Sequence, residues 1–91
     1  MIVNVKHRRT LSAIFSDPIR ANILWDDIES LFIALGAQKK EGSGSRTRFT
    51  LNGVHGLFHR PHPRKEVIKP AIKDVRRFLI EAGIKEEDYD E

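Results

Sequence analysis

The chain has 91 residues, 40% of them hydrophobic and 32% charged, enough for one compact core that buries about 60–65% of the unfolded chain's surface. It has no cysteine, which excludes a disulfide framework and a thiolate metal site; no apolar run approaches the roughly 18 residues of a membrane span, and MIVNVKHRR lacks the apolar centre of a secretory signal, so a cytoplasmic chain without a membrane partner is expected. The formal charge of +3 conceals an asymmetry, because the eight residues after Gly83 carry a net −4 and the preceding 83 carry +7, a balance that suits a polyanionic partner, most often nucleic acid.

Residues 1–9 are basic and show no clear period, so a mobile arm is expected there. Thr10 is placed to cap a short helix through Ser16, with Leu11, Ile14 and Phe15 on one side. Asp17-Pro18 ends it, because the residue before proline is biased away from helix. In WDDIESLFIALG, Ile28, Leu31, Phe32 and Leu35 recur at the helical spacing i, i+3, i+4, i+7. Asp26 with Glu29 reads as a capping-box-like start, and Gly36 is a natural stop.

The period then changes. AQKKE is expected as a short strand and GSGS as a flexible connection, with a backbone phosphate nest as its alternative. RTRFTL, NG and VHGLFH read as a hairpin, since Asn-Gly between alternating segments is the strongest short-range hairpin signal. A two-residue turn at Asn52-Gly53 pairs Leu51 with Val54, Phe49 with Gly56 and Thr47 with Phe58 on an apolar face. On the other face it pairs Thr50 with His55, Arg48 with Leu57 and Arg46 with His59.

RPHPRKE is expected as a rigid loop, and a last helix from about Pro70 to Ala82, with Gly83 beyond it. Its buried stripe is Ile72, Val75, Leu79 and Ala82 with Phe78 beside it, and Lys69, Lys73, Arg76 and Arg77 form a basic stripe on another side. The order helix, three strands, helix predicts an α+β two-layer sandwich, open on one sheet face. Leu31, Phe32, Leu35, Phe49, Leu51, Phe58, Val75 and Leu79 are the expected core.

The chain shows no Walker loop, dinucleotide fingerprint, zinc spacing or serine-hydrolase elbow. His7 belongs to the basic arm and His55 to the turn. His59 and His62 have no obvious carboxylate third ligand, so neither a metal nor any other cofactor is expected. Metal-free RNA cleavage needs a base, an acid and cations for the phosphorane charge. Histidine suits the first two roles and arginine the third. His59 beside Arg46 and Arg48 has that chemistry, and the same residues would serve a structural phosphate contact.

The helix ending in Leu35-Gly36, Gly44-Ser45 entering the second strand, the Pro-His segment before Lys65-Glu66, and Arg77-Phe78-Leu79 through Ala82-Gly83-Ile84 together resemble the HicA family of toxins of bacterial toxin–antitoxin systems. The resemblance covers roughly residues 24–84. It implies a single HicA-like domain over 1–84, with a basic extension over 1–23 and an acidic tail over 85–91. It also implies a fold like a double-stranded-RNA-binding domain, a ribosome-independent endoribonuclease acting on mRNA, and a HicB-type antitoxin as protein partner. The family's catalytic histidine normally follows the Gly-Ser pair, and that position here is Arg46. Arginine is effectively always protonated and cannot act as a base at neutral pH.

Three functions stay open. The first is an RNA-cleaving toxin with His59 and Arg46 as catalytic residues, His62 in reserve, and Arg48, Lys65, Lys69, Lys73, Arg76 and Arg77 contacting RNA. The second is a non-catalytic RNA-binding module of the same fold. The third is a protein-interaction module whose basic surface meets an acidic antitoxin.

Overall fold

The computed structural model describes residues 4–89. Helices α1 (Val5–Ile14) and α2 (Trp25–Ala34) precede strands β1 (Gln38–Glu41), β2 (Arg46–Leu51) and β3 (Val54–His59), followed by α3 (Lys69–Glu81) and a 3-10 turn at Glu86–Tyr89. The strands form one antiparallel sheet in the order β1-β2-β3. Its register is set by the Asn52-Gly53 turn, where both residues have positive φ, 51° and 82°. That is the backbone a two-residue type I′ hairpin requires. Every expected pair follows, from Leu51 opposite Val54 to Arg46 opposite His59.

Alternation along β2 buries Thr47, Phe49 and Leu51, and Phe58 of β3 joins them. Helices α2 and α3 cover this face. Phe32 of α2 lies 4.9 Å from Phe49 and 5.2 Å from Phe78 of α3, ring centroid to ring centroid. Phe58 lies 5.5 Å from Phe78, edge to face, a geometry worth about 0.5–1.5 kcal/mol per pair beyond area burial. Gly56 makes this closeness possible. A Cβ there would come within 2.7 Å of both the Phe58 and Phe78 rings. All eight expected core residues are buried, and the architecture is the expected α+β sandwich, preceded by the expected N-terminal helix with different ends.

That helix, expected from a Thr10 cap through Ser16, instead runs Val5–Ile14 and takes in part of the expected arm. Residues 5–9 are helical, and Asn4 is the cap, its side-chain oxygen accepting from the His7 N–H at 2.8 Å. Thr10 lies inside the helix, buried, and its hydroxyl donates to the Lys6 carbonyl at 3.1 Å. Residues 1–3 of the expected arm lie outside the described residues. α1 packs against α2 and α3 through Leu11 and Ile14. Its polar anchors are far away in sequence. Lys6 pairs with Asp27 at 3.2 Å, and His7 Nε2 lies 2.9 Å from the Ser30 hydroxyl.

The capping box also differs. Leu24 is the N-cap of α2, without a side-chain cap, and Glu29 is instead an ion-pair partner of Lys39. The Trp25 N–H donates to the Lys65 carbonyl at 3.0 Å, so the loop before α3 satisfies one of the free donors of that helix end. α3 begins one residue before the expected Pro70, at Lys69. Within the acidic tail, Tyr89 packs partly against the core; residues 90–91 lie outside the described residues.

Candidate functional site

Residues that alternate with the core positions of β2 and β3 point to the uncovered face. Arg46, Arg48, His55, Leu57 and His59 are all exposed there. Arg46 is directly across from His59, and Arg48 from Leu57. Residues directly opposed on an antiparallel pair have Cβ atoms about 4.5–5.5 Å apart, so the cation and the imidazole of the Arg46–His59 pair stand within reach of one phosphate. Thr50 Oγ1 lies 2.8 Å from His55 Nδ1, which ties His55 to its own cross-strand partner. β1 adds Lys40, opposite Arg48. Sequence reasoning missed this lysine, because the β1–β2 register comes from a four-residue connection without a diagnostic turn. Lys40, Ser43, Arg46, Arg48 and Leu57 border a hollow of about 460 Å³.

A charged brace holds the end of this face. Arg60 follows β3, and its guanidinium donates to Glu41 at 3.3 Å while its backbone N–H donates to the Ser45 carbonyl at 2.8 Å. Lys39 reaches Glu41 at 3.1 Å and also pairs with Glu29. Hydrogen bonding from Lys39, aided by the Arg60 charge, holds the Glu41 carboxyl below its ordinary value. Glu29 first, then Glu41, raise Lys39 above its own.

Residues 25–84 match the family model of the HicA toxin of bacterial toxin–antitoxin systems. The chain belongs to the HicA toxin family. Comparison with the curated proteins and with the solved structures found no match. The matched span starts at the first residue of α2 and ends just past α3, so α1 lies outside the HicA match.

The remaining expected site residues are dispersed over this HicA fold. His62 is exposed on the loop after β3 and borders the same groove as His59, between β3, the loop and α3. Lys65, Lys69, Lys73 and Arg77 are exposed. Arg77 stands between Asp74 and Glu81 in a separate shallow pocket. Arg76 is committed elsewhere. Its Nη2 donates to the carbonyls of Ile14 at 2.8 Å and Ser16 at 2.9 Å, its Nε donates to Ile14 at 3.0 Å, and its guanidinium lies 6.0 Å from the Phe15 ring centroid. It caps the open end of α1 and leaves the basic stripe to Lys69, Lys73 and Arg77. Among the described residues no group of three His, Asp or Glu side chains is placed to hold a metal ion, and no helix is long and apolar enough to cross a membrane.

Proposed function

We propose that the chain is the toxin of a toxin–antitoxin pair that cleaves mRNA in the cytoplasm without a metal, and that a HicB-type antitoxin silences it by covering the open sheet face. The observation that carries this reading is the opposition of Arg46 and His59 across the β2–β3 pair. His59 takes the proton of a ribose 2′-hydroxyl as its oxygen attacks the adjacent phosphorus. Arg46, with Arg48 beside it, offsets charge on the phosphorane oxygens. The P–O5′ bond breaks, and the leaving oxygen takes a proton from His62 or from water. Lys65, Lys69, Lys73 and Arg77 supply sequence-independent phosphate contacts.

The decisive assay incubates the purified protein with single-stranded and duplex RNA in excess chelator. Cleavage is expected, and His59→Ala lowers its rate by about 10²–10⁴-fold with the fold intact. Full activity of His59→Ala removes the assignment of that residue. A second reading is favoured by Arg46 itself, a permanent cation where the family usually carries histidine. It is a non-catalytic RNA-binding module, and tight RNA binding with no cleavage by the wild type selects it.

A further inference from the structure

The groove beside His59 is built unlike the open sheet face. It holds about 430 Å³ and is walled by Trp25, Val67 and Val75, which are 3%, 6% and 0% exposed. The indole Nε1 of Trp25 is sealed from solvent with no hydrogen-bond partner. Two carboxylates, Glu66 and Asp74, also line the groove, and neither forms an ion pair among the described residues. The groove opens at His59, which also stands opposite Arg46 on the sheet.

We propose that this groove holds one unstacked RNA base bearing an exocyclic amino group (adenine, cytosine or guanine), next to the phosphate at Arg46 and His59. The groove is also lined by Arg60, His62 and Arg64, basic side chains suited to the phosphates flanking a nucleotide, while the apolar walls and the two carboxylates suit its base rather than a phosphate in the groove itself. The flat face of the base meets apolar side chains, as in single-strand RNA recognition generally, and its amino hydrogens meet carboxylate acceptors. Uracil has no amino group to offer. The size and the mainly apolar lining with a few convergent polar groups are those of a small-ligand site. A base seated here anchors the chain so that the neighbouring phosphate falls at His59, which makes the groove a selector of where the strand is cut. The proposal rests on the phosphate assignment of Arg46 and His59, and its test is read apart from cleavage.

Trp25 is the chain's one tryptophan and forms part of the groove wall, so its fluorescence reports occupancy. The protein is titrated with 2′-O-methyl pentanucleotides of A, C or U, which cannot be cut, and with an abasic pentamer. A and C are expected to shift Trp25 emission and to bind about tenfold tighter than U or the abasic strand. Replacing adenosine by purine riboside, which lacks only the amino group, is expected to erase that advantage without touching the protein. Glu66→Ala with Asp74→Ala is expected to reduce it to less than about twofold. Equal binding of all strands with unchanged emission overturns the proposal, even if unmodified RNA is cleaved. Base preference with an emission shift but no cleavage upholds the groove and rejects the nuclease. An emission shift with an arginine-rich peptide and none with any oligonucleotide makes the groove a protein-docking site and overturns the proposal.

Discussion

Arg46 and His59 face each other directly across the β2–β3 ladder, exposed on the sheet face that no helix covers. The two-residue turn at Asn52-Gly53 places them there, thirteen residues apart in sequence. If this pair performs the chemistry, the two residues respond differently to substitution. His59→Ala removes proton transfer, so single-turnover cleavage is expected to fall about 10²–10⁴-fold. Arg46→Ala slows it through charge stabilisation alone. Arg46→His introduces a titratable group opposite His59, and a rise in rate is expected. Equal loss in Arg46→His and Arg46→Ala would show that the cation at this position matters more than any proton transfer.

The cations of α3 divide into two kinds. Arg76 donates three hydrogen bonds to carbonyls at the end of α1 and just beyond it, so Arg76→Ala is expected to cost about 1.5–3 kcal/mol of stability, the range for bonds from a charged group. Its RNA affinity, measured well below the melting transition, stays unchanged. Lys73→Ala with Arg77→Ala is expected to do the reverse. Stability holds, affinity falls, and the slope of log affinity against log salt shrinks by about 0.7–0.9 for each phosphate left without its cation. Urea unfolding and binding at several salt concentrations separate the two cases.

These differences mark what was legible in the sequence. The sheet register and both core stripes are local patterns, and Asn52-Gly53 with the spacings around Phe32 and Phe78 encodes them. α1 is not local. Val5 to Arg9 carry no apolar period, and the helix is held by Asp27, Ser30 and Arg76, which lie 21 to 62 residues beyond their partners. A stripe of cations likewise does not reveal that one member turns back to cap another helix. The groove beside His59 collects Trp25 from α2, Glu66 from the loop and Asp74 from α3, and no spacing rule links those three. Lys40 reaches the site only through the β1 register.

Gly56 is a point of close approach between the sheet and α3. Ala there would place its Cβ 2.7 Å from rings of both Phe58 and Phe78, and rings locked in a five-aromatic cluster have little room to move. Gly56→Ala is therefore expected to destabilise by about 1–3 kcal/mol, the usual range for overpacking. Gly53→Ala is expected to destabilise too, through its positive φ alone, because nothing lies within 4 Å of its added Cβ. Combining Gly56→Ala with Phe78→Leu should recover part of the stability if crowding is the cause, and no recovery in the double variant would rule that cause out.

The brace at Glu41 predicts a pH dependence with a definite sign. Its carboxyl is held below the ordinary value of 4.5, first by the hydrogen bond from Lys39. A depressed carboxyl contributes stability that is present above 4.5 and is lost as pH falls through the folded-state value. Lys39 is raised above 10.5, chiefly by Glu29, so its contribution is present below 10.5 and is lost as pH rises through the folded-state value. Both are in place at neutral pH. Glu41→Gln is expected to lower the urea midpoint slightly there, because the pairs are largely exposed and screened. The gap between variant and wild type should narrow below 4.5 and close as pH falls through the folded-state value. Arg60 leans on the same carboxylate and carries the backbone bond to Ser45, next to Arg46. Glu41→Gln should therefore also slow RNA cleavage at neutral pH, with a larger effect at low salt. A midpoint gap that persists unchanged from pH 7 to about pH 3 would show that Glu41 acts through packing and not through charge.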